Sequence, residues 1–332
     1  MGSAPQYRRG VGRRRAGRWR RAALAVLITG AVVVPLSGAV RPQTPAPAPA
    51  SLAPLSASTL DAAYAANRAN AAEAARMAAA HHDRDRAATD RRLAAPARHL
   101  LRFDGRGSGR VTEVLGDLAR ADRIAVLVPG SDTSLDTYGR FHAAAAALHR
   151  QLARQAPAGT RTAVVAWMGY ETPGTVSTTV TTTGRAEQAA PHLRALVADL
   201  RAIAGAGPRI ALLCHSYGSV VCGRAAAGLA VDDIALVGSP GTGADTAAGL
   251  RTRARVWAAR GGDDWVENVP HVDLDLFGTT VGFGTDPVSP AFGARVFAAG
   301  DGGHSDYFRP GSASLTNLAR IVLGETKAVT HD

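Results

Sequence analysis

The segment Cys214-His215-Ser216-Tyr217-Gly218 follows a run of apolar residues and precedes a helix-forming stretch. A serine in that setting has a specific use. A sharp strand-to-helix turn holds its hydroxyl out above a sheet, and small residues two before and two after let strand and helix approach. Gly218 meets the second requirement, and Cys214 stands where glycine is usual. A serine hydroxyl is a weak nucleophile near neutral pH, so it needs a base, and the base needs an acid to orient it. His304, in Gly302-Gly303-His304-Ser305-Asp306, follows the last strand candidate and is the chosen base. His271 precedes that strand and ranks second, while His215 adjoins the serine too closely to reach its hydroxyl. Asp264 is the preferred acid, on the loop after strand 255–259, with Asp263 second and Asp245 third.

An acyl-transfer intermediate bears a negative oxygen that backbone donors must hold. The expected donors are the N–H groups of Tyr217 and of Ser131, the latter in Pro129-Gly130-Ser131-Asp132. That loop has no Lys-Ser/Thr pair, so it does not read as a phosphate cradle. Tyr170, Phe277 and Phe283 lie on long loops and are the candidate pocket residues. No metal or cofactor is called for. His81 and His82 sit beside Asp83 and Asp85, yet adjacent histidines point apart on a helix, so a solvated face is the plainer reading.

These groups need a frame, and the apolar runs supply it. Strands are expected at 99–103, 124–128, 162–167, 210–214, 234–237, 255–259 and 294–299. Helices are expected at 141–154, 185–204, 218–230 and 312–323. Near-continuous apolar strands alternating with helices predict an α/β fold, with a mostly parallel sheet covered on both faces. The sheet occupies the catalytic body, 96–325, with a short tail at 326–332. Cys214 and Cys222, the only cysteines, read as two buried thiols in preference to a disulfide.

Ahead of the body lie three other segments. Residues 1–40 hold eight arginines up to Arg21, then an uncharged apolar run from Ala22 to Val40. This reads as a signal peptide or membrane anchor, with cleavage after Ala39 slightly favoured over retention. The protein is therefore expected to be secreted or anchored in the cell envelope. Residues 41–58 alternate proline with small residues and predict an extended spacer. Residues 59–95 predict a long Ala-rich helix running to about Leu93, as a stalk, a packing helix or a partner-binding helix. The formal net charge of +11 is mostly the leader's, so nucleic-acid binding is not expected.

Several stretches together resemble an actinobacterial α/β-hydrolase family of the domain-of-unknown-function type. They are 121–133 (ADRIAVLVPGSDT), 167–173 (WMGYETP), 215–219 (HSYGS), 238–241 (GSPG), Asp264-Trp265, 284–297 (GTDPVSPAFGARVF) and 302–307 (GGHSDY). The resemblance spans about 97–324. It implies the α/β-hydrolase fold and a Ser216–Asp264–His304 triad, and it favours Asp264 over Asp263. The expected activity is a serine hydrolase, esterase- or lipase-like, acting on a small-molecule or lipid-like acyl substrate. A binding scaffold that uses the 59–95 helix is the alternative from another class, and a serine peptidase is a third reading.

Overall fold

The computed structural model describes residues 44–174, 183–269, 274–276, 279–281 and 283–331. Residues 1–40, the first part of the spacer, His271 and Phe277 lie outside them. Among the described residues, no helix is long and apolar enough to cross a membrane.

The described chain runs α1 (Leu60–Ala80), α2 (Arg84–Leu93), β1 (His99–Asp104), β2 (Arg110–Leu115) and β3 (Arg123–Val128). It continues through α3 (Tyr138–Gln155), β4 (Thr162–Met168), α4 (Gly184–Ala204), β5 (Arg209–His215), α5 (Gly218–Ala225) and β6 (Asp233–Val237). It closes with β7 (Arg255–Ala259), β8 (Leu274–Leu276), β9 (Thr279–Val281), β10 (Arg295–Val296) and α6 (Ala313–Leu323). Eight strands form one sheet in the order β1-β2-β4-β3-β5-β6-β7-β10. β2 is antiparallel to both of its neighbours, and the strands from β4 to β10 are parallel. β8 and β9 pair separately as an antiparallel ribbon.

The apolar strands are buried on both sides, and their residues alternate between two cores. Ile124, Val126 and Val128 share one core with Leu212 and Cys214, under α4 and α5. Ala125 and Leu127 share the other with Ala211 and Leu213, under α3 and α6. The chain goes from β3 outward to β4, then returns past β3 to β5, so the winding reverses between β3 and β5. Loops leaving the carboxyl ends of strands at such a reversal part to leave a crevice, where ligands of open α/β sheets bind.

Four expectations are corrected. First, Arg110–Leu115 is a strand the sequence reading omitted. Glu113 in its middle is 2% exposed and argues against a buried strand until its partners are seen. Arg98 donates to its carboxylate at 2.6 Å and the Tyr138 hydroxyl at 2.7 Å. Second, the 59–93 helix is broken. His82 takes φ 63° and the Asp83 carboxylate accepts from Arg86 N at 3.0 Å, which caps a new helix. Third, the described part of the spacer, 44–58, does not stand free. Leu55 is buried, and the Ala48 carbonyl accepts from Asn70 at 2.6 Å. Fourth, Cys214 and Cys222 form a disulfide. Boundaries also shift: β10 keeps two residues, α3 starts at Tyr138, α5 ends at Ala225, and α6 starts after a Ser312 cap.

Of the readings left open for the long helix, packing is the one observed. Leu60, Ala63, Tyr64, Ala71 and Ala74 of α1 are buried. Asn67 donates to the carbonyls of Leu100 and Leu101, at 3.1 and 3.0 Å, where the register of β1 shifts. A bulge leaves such carbonyls without a ladder partner, and the amide fills that need.

Candidate active site

The turn after β5 puts Ser216 in the left-handed region, at φ 53°. A non-glycine residue held there is strained and persists only where its surroundings over-determine it. The surroundings do so. The Ser216 N–H donates to the Val237 carbonyl of β6 at 3.0 Å. A Cβ on Gly218 would lie 2.6 Å from the carbonyl oxygens of both Val128 and Pro129, so only glycine lets α5 start this close to β3. The disulfide from Cys214 to Cys222 ties the strand end to the helix across the serine. A bonded cysteine thus occupies the position where glycine is usual.

The Ser216 hydroxyl lies 2.9 Å from Nε2 of His304, and Nδ1 of His304 lies 2.9 Å from Oδ1 of Asp264. A carboxylate only accepts, so Nδ1 carries the proton of the neutral ring and Nε2 is left to accept from the serine. Asp264 is buried, 3% exposed, at the start of a 3₁₀ turn after β7. Burial pushes its carboxyl up, but hydrogen bonds from His304, from the Tyr307 hydroxyl and from Val266 N outweigh it and hold the carboxyl below its usual range. The Tyr307 hydroxyl donates to Oδ2 and itself accepts from Gly261 N at 3.0 Å. Asp263 and Asp245 are exposed and take no part.

Two residues the sequence reading passed over shape this cluster. Gly238, after β6, has φ 55°, and a Cβ there would lie 2.8 Å from Asp264 Oδ2 and 3.1 Å from His304 Nδ1. Tyr307 braces the acid. Both belong to quoted stretches, GSPG and GGHSDY, but nothing in their type alone marks a contact with Asp264.

A cavity of about 870 Å³ opens over Ser216. It is lined by Leu127, Phe141, Ala144, Leu213 and Phe308, which belong to or pack against the core under α3 and α6, and by Tyr217, Pro240, Val266, Val269 and Phe283. Trp265, 51% exposed, stands at the mouth with its ring 4.6 Å from that of His304. Ser131 also lines the cavity, and its loop abuts the nucleophile: a Cβ on Gly130 would lie 2.6 Å from that of Ser216.

The pocket expectations divide three ways. Phe283 lines the cavity, edge-on to Tyr217 at 5.8 Å. Tyr170 does not: it is buried behind the Pro129 turn, donates to the Pro129 carbonyl at 2.6 Å and stacks on Trp167. A tyrosine at a strand end found a backbone acceptor there before it could reach substrate. Phe277 lies outside the described residues.

The match to a protein family agrees with this architecture. Residues 104–274 match a family described as alpha/beta hydrolase. Two curated relatives, uncharacterized proteins from two strains of Mycobacterium tuberculosis, are 31% identical over 256 residues, covering 68% of this chain and 39% of theirs. The chain thus spans well under half the length of these relatives. Among solved structures, the esterase PE8 is similar with a TM-score of 0.42 and 19% identity, over 64% of this chain and 97% of that one. An α/β serine hydrolase without lid from Xanthomonas campestris gives 0.39 and 16%, over 66% and 88%.

Proposed function

This chain belongs to the alpha/beta-hydrolase family, and from that premise we propose that it is an exported serine hydrolase that cleaves a carboxylic ester through an acyl-enzyme on Ser216. The observation that carries this reading is the unbroken run Ser216–His304–Asp264, with 2.9 Å at each link, under an open apolar cavity.

Ser216 Oγ attacks the ester carbonyl while His304 Nε2 takes its proton. Asp264 holds the ring in the tautomer that can accept and stabilises the imidazolium that forms. The N–H groups of Tyr217 and Ser131 hold the oxyanion. His304 returns the proton to the departing alcohol, leaving an acyl-serine. A water then loses its proton to His304 and attacks the acyl carbon. Collapse of that second intermediate frees the acid and restores the serine with the proton from His304. No step uses a metal or cofactor.

The mostly apolar lining of the cavity favours a lipid-like ester in preference to a peptide, whose amide groups need partners when buried. Export is supported by the arginine-led apolar leader and by the disulfide, a bond that persists in oxidising compartments. The test is a fluorophosphonate probe on the full chain, with the adduct located by mass spectrometry. An adduct on Ser216, lost in His304→Ala, is expected. A folded protein that takes no label at Ser216 overturns the proposal.

A further inference from the structure

β5 sends Ala211 and Leu213 into the core under α3 and α6, and the next residue of that row is His215. A polar ring ends an apolar row, beside the nucleophile yet unable to serve it. Its Nε2 lies 2.6 Å from the backbone carbonyl oxygen of His304. A carbonyl only accepts, so this nitrogen carries the proton and donates.

The bond meets a need. His304 lies on an irregular loop between β10 and α6, outside any strand or helix. Inside the loop, Asp306 closes a turn on Gly303 through its own N–H and carboxylate. The bond from His215 ties the backbone of His304 to the end of β5, the same strand that presents Ser216. The rings are also in contact. His215 and Trp265 lie against His304 with centroids 4.8 and 4.6 Å away, tilted by 43° and 47°. Tyr307 also lies against His215, at 5.7 Å.

We propose that His215 is a positioning residue that holds the base His304 at attack distance from Ser216 by donating its Nε2 proton to the His304 carbonyl. The inference rests on the serine-hydrolase reading for its effect on rate, but the contact itself is testable without turnover. The titratable groups facing His215 are His304, Asp264 and Tyr307. Burial, and then the field of His304, hold its ring down to about 4, against the bond to the His304 carbonyl and the charge of Asp264, so it stays neutral through the working range. A charged ring here would repel the imidazolium that forms on His304, and a neutral donor does not.

The test compares His215→Phe, which keeps a ring and drops the donor, with His215→Gln, which keeps an N–H at similar reach. In the full chain, kcat and KM for a p-nitrophenyl ester are measured across pH, and proton NMR follows the Nδ1 proton of His304 held by Asp264. H215F is expected to lose about 10- to 100-fold in kcat, as for a small misplacement of a catalytic group, with KM unchanged and the acid limb of the pH profile moved. Its downfield Nδ1 proton is broadened or lost, and H215Q restores both readouts. A folded H215F with wild-type kcat, pH profile and Nδ1 signal overturns the proposal, as does a loss in H215F that H215Q fails to restore. If H215F does not fold, His215→Met, also without a donor, takes its place under the same outcomes. Wild type that takes no fluorophosphonate label refutes the hydrolase reading alone, since the Nδ1 comparison still decides the contact.

Discussion

Ser216 and His304 face each other across 2.9 Å but are held by different means. The serine sits on a turn made rigid by its backbone: φ 53°, a glycine two residues on that admits no Cβ, a ladder neighbour on β6 and a disulfide around the turn. The histidine sits on an irregular loop, and side chains from elsewhere in the chain hold it: Asp264 and Trp265 after β7, His215 at the end of β5. Gly238 after β6 leaves the room it needs. A nucleophile that must stand strained and exposed is best set by local backbone. A base that must gain and lose a proton needs its charge balanced, which only residues brought in by the fold can do.

Substitutions can break that comparison from either side. Ser216→Ala removes the nucleophile and is expected to cut kcat roughly a millionfold on any ester the enzyme accepts, with the fold intact by circular dichroism. Asp264→Asn leaves the shape but favours the wrong tautomer of His304, and a loss of about 10⁴-fold in kcat is expected. Gly238→Ala probes the space behind the base. Its Cβ would press on Asp264 and His304 at 2.8 and 3.1 Å, and displacing them is expected to cost about 100-fold in kcat with little change in KM.

Smaller effects sharpen the comparison. Tyr307→Phe leaves Asp264 Oδ2 and Gly261 N without this hydroxyl, at an expected cost of about 1–3 kcal/mol in unfolding free energy by urea titration. The sign with pH follows from the carboxyl. Asp264 is held below its usual range in the folded state, so its contribution is full above the unfolded value of about 3.9 and is lost as pH falls through the folded value. The gap between wild type and Y307F is therefore widest near neutral pH and narrows in acid. Reducing the Cys214–Cys222 bond opens a loop of sequence separation 8 and is expected to lower stability by about 2 kcal/mol. Fluorophosphonate labelling of Ser216 should survive reduction, because the turn retains its glycine and its ladder bond. Loss of labelling at unchanged fold would show that the disulfide holds the serine in its strained turn.

Short-range features are the most legible in this chain. Buried parallel strands announce themselves as β-branched runs such as Ile124–Val128, and the elbow is five consecutive residues. A residue whose meaning depends on a distant partner is not legible in the same way. Glu113 reads as a strand breaker until Arg98 and Tyr138 are beside it. Tyr170 reads as a pocket wall until the Pro129 carbonyl takes its hydroxyl. The pair Cys214 and Cys222 lies on a strand and on a helix, and their approach depends on how closely the two elements pack.

What the sequence by itself determined is the alternation of strand and helix, the nucleophile with its required glycine, and the chain order of serine, acid and base. Each depends on neighbours within a few residues or on an order that topology preserves. Only the tertiary structure decided that Gly238 must lack a side chain, that Tyr307 holds the acid, and that His215 reaches the backbone of His304. Those contacts join the ends of β5, β6 and β7 and the loop after β10, segments up to 89 residues apart. They meet only because parallel strands bring all their carboxyl ends to one edge of the sheet.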